Sequence, residues 1–150
     1  MSKSDAFENQ LLLHIFNNSA IADVGDASGL PAAATPGSIW VRLYTSAVTV
    51  DDSTIGTECA YTGYVAGGVA VARSGAGWTV SANNASNTAA ITFGACTGGT
   101  ETIRYFALFK DNATGTDSHR LYWGQLTSDL AVSSGITPEF AIGALDVNED

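Results

Sequence analysis

Residues 102–110 read TIRYFALFK, and this stretch decides the fold. Apolar or aromatic side chains recur at every second position, so four of them fall on one side of an extended chain: Ile103, Tyr105, Ala107 and Phe109. This alternation, rich in aromatic residues, is typical of a β-strand. The polar residues 111–118 predict a hairpin turn, and residues 121–126 predict the returning strand. Tyr122 and Trp123 are neighbours on that strand, so one of them should point outward.

Short segments of the same kind occur on both sides of this hairpin. The segment at residues 38–45 alternates, and it predicts a strand whose wetter face carries Trp40, Arg42 and Tyr44. Residues 83–87 are rich in Asn and predict a turn. The other predicted strands cover residues 69–73, 78–81, 89–93, 130–132, 137–142 and 145–147. About eight or nine short strands with turn signals between them predict an antiparallel β-sandwich or barrel.

The N-terminus is the one segment with helical periodicity. Ser4 is placed to cap a helix, and residues 5–16 repeat apolar side chains every four positions. The apolar positions cover about half of the helix circumference, which is broad for a surface helix. We therefore expect residues 1–19 to form a helix that docks on a partner, and residues 20–150 to form a single β-sandwich domain.

Composition excludes several classes of protein. The 150 residues fit one domain, and 6 basic against 15 acidic residues give a net charge of −9. An acidic chain is poorly suited to nucleic acid or to an anionic membrane surface, so neither is an expected partner. The apolar run at residues 11–16 is too short to cross a bilayer and does not have the pattern of a secretion signal. We expect the protein to be made in a cytoplasm.

Chemical motifs are absent from the sequence. It contains no nucleophile elbow, no zinc-protease motif and no phosphate-binding loop, and no motif joins two of its carboxylates. The potential zinc ligands His14, His119, Cys59 and Cys96 match no ligand spacing. We therefore expect no catalytic residue, no cofactor and no metal. The two cysteines are expected to be reduced thiols, and a bridge between them stays open.

Several segments together resemble a known family. The segments are residues 4–17 (SDAFENQLLLHIFN), 60–64 (AYTGY), 69–74 (VAVARS), 77–81 (GWTVS), 135–138 (GITP) and 140–141. They resemble small virion proteins of tailed bacteriophages, whose members are described as head decoration (cement) proteins or as tail fibre proteins. The resemblance covers nearly the whole chain, and its motifs carry no catalytic residue. The chain departs from it in lacking a basic residue soon after residue 64.

The resemblance implies a jelly-roll-like antiparallel β-sandwich with one N-terminal α-helix. It also implies a virion protein on the outer surface of the capsid, made in the bacterial host. Its expected partners are the major capsid protein, whose neighbouring subunits it would bridge, and copies of itself in a dimer or trimer. The alternative is a tail fibre or tail-tip protein that binds a host receptor. The sequence has no repeat from which to build a fibre shaft, so decoration is the preferred interpretation.

The expected partner interface combines the broad helix with the aromatic motif at residues 60–64. Apolar helix residues would supply docking contacts, and the two tyrosines of the motif would lie beside a loop that touches the shell. The predicted interface residues are Phe7, Leu11, Leu12, Ile15, Phe16, Tyr61 and Tyr64.

Overall fold

The structure is a computed structural model that describes residues 2–48, 56–113 and 117–150. Within these ranges the chain is mainly β, with one α-helix at its N-terminus. The registered strand pairs are antiparallel. The fold class predicted from the sequence is therefore confirmed, since this architecture is consistent with a β-sandwich that has one N-terminal helix.

The helix and strands follow the predicted segments with a few shifts. The helix is α1 (Asp5–Asn17), and the strands are β1 (Ser38–Tyr44), β2 (Val69–Ala72), β3 (Trp78–Ser81), β4 (Asn84–Asn87), β5 (Ile91–Thr92), β6 (Glu101–Phe109), β7 (Arg120–Val132), β8 (Glu139–Phe140) and β9 (Asp146–Asn148). A single 3-10 turn, Asp117–His119, precedes β7. Residues 114–116 of the predicted hairpin turn lie outside the described residues.

Backbone contacts divide the chain into two compact units. We call the first the helix unit, and it contains Met1–Ser38, Ala72–Ile91 and Phe140–Asp150. The second is the hairpin unit, which contains Ile39–Val71 and Thr92–Glu139. The predicted boundary after residue 19 stays a prediction. In the structure, α1 shares its unit with β3 and β4 and packs against both strands.

The hairpin unit is built around a four-stranded sheet in the order β2-β1-β6-β7. Strand β6 lies in its centre and pairs along most of its length with β1 and β7. The two segments predicted at residues 121–126 and 130–132 form one strand, β7. They differ in register, because Tyr105 faces Gln125 whereas Ile103 faces Leu130. The extra residues of β7 form a bulge between the two paired stretches.

The predicted wetter face of β1 is wrong at two of its three residues. Arg42 and Tyr44 are buried, and Trp40 is half-buried. The Arg42 guanidinium lies 3.8 Å from the centre of the Phe109 ring. Its Nη2 donates to the carbonyl oxygens of residues 111 and 113, at 3.0 and 2.9 Å. These acceptors lie after β6, about seventy residues away, so the local alternation of β1 could not reveal them.

The helix unit contains a three-stranded sheet in the order β3-β4-β9. The predicted turn at residues 83–87 is wrong, because residues 84–87 form β4. The reason is Asn87, whose side chain is buried and holds three backbone groups. It donates to the carbonyl oxygens of Ala89 and Ala141, both at 2.8 Å, and accepts from the Leu145 N–H at 2.9 Å. An asparagine with this role is a structural residue of the sheet and not a turn former.

Candidate partner interface

The predicted helix residues divide into a buried set and a surface set. Leu12 and Phe16 are fully buried, and the Phe16 ring lies 4.7 Å from the Trp78 ring of β3 at an interplanar angle of 58°. Phe7 is 38% exposed, while Leu11 and Ile15 are half-buried. The last three residues are spaced four apart and therefore follow one another along α1. We call Phe7, Leu11 and Ile15 the helix strip.

Arg73 anchors the C-terminal end of α1. Its Nε donates to the Ile15 carbonyl oxygen at 2.6 Å, and its Nη2 donates to the His14 carbonyl oxygen at 2.7 Å. Its Nη1 donates to the Pro36 carbonyl oxygen at 3.0 Å. The last carbonyls of a helix have no partner within the helix, and a cation is favoured beside them. The helix strip is therefore carried by a helix whose end is fixed to its own unit.

Backbone groups of Ser4 and the side chain of Asn18 make further contacts at the two ends of the helix. The Ser4 side chain makes no capping hydrogen bond, so the predicted side-chain cap is wrong, and the Ser4 carbonyl instead accepts from the N–H groups of Phe7 and Glu8. At the other end, Asn18 takes a left-handed conformation with φ of 54°. Its side chain exchanges two hydrogen bonds with the backbone of Ala33, at 2.8 and 2.9 Å. Asparagine tolerates this conformation better than most residues.

Tyr61 and Tyr64 belong to an aromatic cluster in the hairpin unit. Their rings meet edge to face at 5.5 Å, and Tyr64 also stacks on Phe93 at 6.2 Å. Tyr61 is only 4% exposed, and its hydroxyl donates to the Gly94 carbonyl oxygen at 2.9 Å. The aromatic side chains of residues 60–64 therefore pack within the hairpin unit.

The Tyr64 hydroxyl completes a small polar network. It donates to Glu58 Oε1 at 2.9 Å and accepts from the Leu43 N–H at 3.2 Å. The same Glu58 oxygen accepts from the Gly67 N–H at 2.8 Å. Burial raises the pKa of Tyr64, and it raises the pKa of Tyr61 to about 12. Both hydroxyls therefore stay protonated at neutral pH and act as fixed hydrogen-bond donors.

The motif at residues 60–64 requires a glycine at position 63. The φ of Gly63 is +111°, and a Cβ built on it would overlap the Ala95 carbonyl oxygen. A glycine is needed here for both reasons, since other residues rarely adopt this conformation and the facing backbone leaves no room. The residue of the motif that the fold constrains most is therefore Gly63, whose backbone lies close against the backbone of Ala95.

The structure distributes the predicted interface residues over two units. The helix strip lies at the surface of the helix unit, and Tyr64 is half-buried in the hairpin unit. Leu12, Phe16 and Tyr61 have their side chains inside. That these seven residues form the partner interface stays a prediction, for which the helix strip offers the most accessible surface.

Sequence reasoning missed a surface on β7. Trp123 is 40% exposed and Leu121 is 38% exposed, whereas Tyr122 is half-buried. Trp123 is therefore the neighbour that points outward. Alternation along β7 places Leu121, Trp123 and Gln125 on the same face. The available signal was the uncharged run between Arg120 and Asp129, but a single strand pattern does not reveal which strand ends a sheet.

Titratable side chains of the described residues do not gather into a metal site. Among the side chains that the structure describes, in residues 2–48, 56–113 and 118–150, no three His, Cys, Asp or Glu are arranged to hold a metal ion. His119 instead contacts Asp111, with 2.8 Å between Nδ1 and Oδ2. Cys59 and Cys96 are free and buried, and burial raises the pKa of the Cys59 thiol. Nor does the described part of the chain contain a helix with the length and apolarity to span a membrane.

Polar side chains in these clusters hydrogen-bond to backbone groups and fix backbone segments, as Arg73, Glu58 and Asn87 do. Comparison with known families defines the class of protein. A family model described as "Podophage GP4 fiber I protein gp80" matches residues 2–148, so the chain belongs to that family. It is accordingly a structural protein of a bacteriophage virion. No curated protein matches the chain.

Proposed function

We propose that this chain is a subunit of a fibre on the phage virion. The observation that carries the proposal is the family match, which extends over residues 2–148 and whose description names a fibre protein. The sequence alone favoured capsid decoration, with a tail fibre as the alternative. The family description favours the alternative, and we adopt it.

Two features of the structure are compatible with a fibre subunit. The helix end is fixed by three hydrogen bonds from Arg73, and the tyrosine motif is held by Glu58 and by a tight glycine contact. Segments fixed in this way can bear load without rearranging, because each local opening costs several hydrogen bonds. The exposed apolar residues of the helix strip and of β7 offer contact area for neighbouring subunits.

Capsid decoration is the second candidate, and the helix strip is the observation that favours it. Phe7, Leu11 and Ile15 form a narrow apolar surface on a helix that is anchored at its end, which suits docking into a groove of the major capsid protein. Repetition over a capsid lattice would turn a weak contact of this size into stable binding through avidity. In this role the protein would lie on the outer surface of the capsid and bridge neighbouring capsid subunits.

The experiment that tests the fibre proposal is immunogold electron microscopy of intact virions with antibodies raised against the purified chain. A fibre subunit places gold on projections away from the head surface. Gold spread evenly over the head would overturn the proposal and support decoration. Particles assembled without this chain serve as the control, because they must lose the gold signal.

The same particles separate the two roles by phenotype. Loss of a fibre subunit should remove the projection and leave the heat stability of filled heads unchanged. Loss of a decoration protein should instead make heads release DNA at a lower temperature, because the bridging contacts that stabilise the expanded shell are gone. If the projections are tail fibres that contact the host, the particles lacking them should also adsorb poorly to cells.

A further inference from the structure

Among the described residues, the four-stranded sheet ends at β7, whose only paired neighbour is β6. One edge of a strand of 13 residues is therefore available in the part of the chain that the structure describes. An open edge presents alternating N–H and C=O groups, which are a template for a further strand.

Most edge strands carry features that discourage such pairing, and β7 has one of them, the bulge between its two paired stretches. The rest of the strand carries few others. Its sequence is RLYWGQLTSDLAV, so no charged residue and no proline occurs between Arg120 and Asp129. The outward face of this stretch adds Leu121 and Trp123, which are 38% and 40% exposed. This uncharged, aromatic edge stands out in a chain whose net charge is −9. Proteins that stay monomeric normally place lysine, proline or inward-pointing charge at such a position.

We propose that the edge of β7 pairs with the same edge of a second copy of this chain, in antiparallel orientation about a two-fold axis. The charge pattern favours this occupant and this orientation. Two copies that each carry a net charge of −9 repel one another, so they approach most readily where the surface is uncharged, as it is between Arg120 and Asp129. Antiparallel pairing keeps the two Arg120 residues at opposite ends of the contact, whereas parallel pairing would set them side by side.

The exposed side chains add a contact to the backbone pairing. In the antiparallel arrangement, the Trp123 residues of the two copies lie near the two-fold axis on one face of the joined sheet. Tryptophan supplies a large contact area and is the residue most often found at the energetic centre of an interface. Asp129 keeps its 3.0 Å ion pair with Arg104, so the contact requires no new buried ion pair.

This inference goes beyond the proposed function, because it names a surface and a symmetry for contact between copies. A fibre needs repeated copies, but pairing through β7 does not depend on where the protein lies on the virion. The following test uses purified protein, so its failure is distinguishable from a failure of the immunogold experiment.

The test is the mass of the purified full chain, measured by light scattering after size exclusion over a series of concentrations. We expect a dimer that dissociates on dilution. Trp123→Lys should raise the dissociation constant by about tenfold or more, because it removes a central tryptophan and places two like charges together. The matched control is Val65→Lys, which adds the same charge at a residue of the same unit that is 68% exposed and lies outside β7.

Two further outcomes keep the inference falsifiable. Gln125→Cys should be joined to its copy by a short bis-maleimide linker, because Gln125 lies only two residues from the Trp123 near the axis, while Val65→Cys should not. A chain that stays monomeric at all concentrations overturns the proposal, as does a dimer that Val65→Lys weakens as much as Trp123→Lys. Thermal melting of both lysine variants must match the wild type, and if Trp123→Lys unfolds, the cysteine pair alone decides.

Discussion

Replacing Arg73 with alanine tests whether the helix end is held as the structure indicates. The substitution removes three hydrogen bonds from a charged donor, to the carbonyl oxygens of His14, Ile15 and Pro36. Two of these carbonyls belong to the last turn of α1 and are part-buried, so water replaces the lost donor incompletely. The helix should therefore detach more readily from its unit.

The expected magnitude follows from these contacts. A hydrogen bond to a charged group contributes about 1.5–3 kcal/mol, and a half-exposed guanidinium realises only part of that value. We expect Arg73→Ala to lower the free energy of unfolding by about 3 kcal/mol, with a further small loss from the helix dipole. For a chain of this size that corresponds to a fall in Tm of roughly 6–12 °C. Arg73→Lys keeps the positive charge but not the planar guanidinium that donates to several carbonyl oxygens at once. The free energy of unfolding should therefore fall by about half as much as in Arg73→Ala.

The assay is urea unfolding followed by tryptophan fluorescence and circular dichroism, with Arg104→Ala as the matched control. Arg104 pairs with Asp129 through side chains that are both about half exposed, and such a pair contributes about 0–1 kcal/mol. The reasoning is refuted if Arg73→Ala and Arg104→Ala lower the stability by amounts that agree within about 1 kcal/mol. It is also refuted if Arg73→Lys is as stable as the wild type.

Three further predictions concern single residues. Asn87→Ala should lower the free energy of unfolding by about 2 kcal/mol in urea melts, because it leaves the buried Leu145 N–H without its acceptor and removes the donor to the Ala89 and Ala141 carbonyl oxygens. Gly63→Ala should reduce Tm far more than Gly135→Ala, since both have positive φ but only Gly63 faces a backbone oxygen. The hydrogen bond with His119 lowers the pKa of Asp111 below its ordinary value of 3.8. The ionised Asp111 carboxylate therefore stabilises the folded state at pH values above 3.8, and this stabilisation is lost as the pH falls through the lower pKa of the folded state. Stability measured across this acid range should fall more steeply in the wild type than in Asp111→Asn.

Local pattern was sufficient where a segment's neighbours are close in sequence. The alternation at residues 102–110 predicted β6 within one residue at each end, and the four-residue repeats of apolar residues over 7–16 predicted α1. In both cases the periodicity reports a buried face, and that face exists in the structure as Ala107 and Phe109 on β6 and as Leu12 and Phe16 on α1.

Prediction failed where a polar side chain finds its partner far along the chain. Asn87 was interpreted as a turn former, but its partners include the backbone of Ala141 and Leu145, more than fifty residues away. Arg42 was assigned to a wetter face, but it is buried beneath Phe109 and the carbonyls that follow it. Residue type alone does not distinguish a solvated polar residue from one whose partners lie inside the protein.

The candidate site shows the same division between local and long-range information. The sequence showed that the apolar face of the helix is broad. Which part of that face stays at the surface depends on how the helix packs against Trp78. Arg73, which fixes the helix end, is 58 residues from Ile15, and no local pattern joins them. The open edge of β7 depends on strand order, which requires knowing that β6 pairs with both β1 and β7.

The most direct test of the central claim is the number of copies of this protein in a purified virion, measured against the major capsid protein by quantitative mass spectrometry. A fibre subunit should be present in a small, fixed number of copies per particle, set by the symmetry of the fibre's attachment site. A ratio near one to one, or a simple fraction set by the symmetry of the capsid lattice, would contradict the fibre assignment and place the protein on the head as a decoration protein.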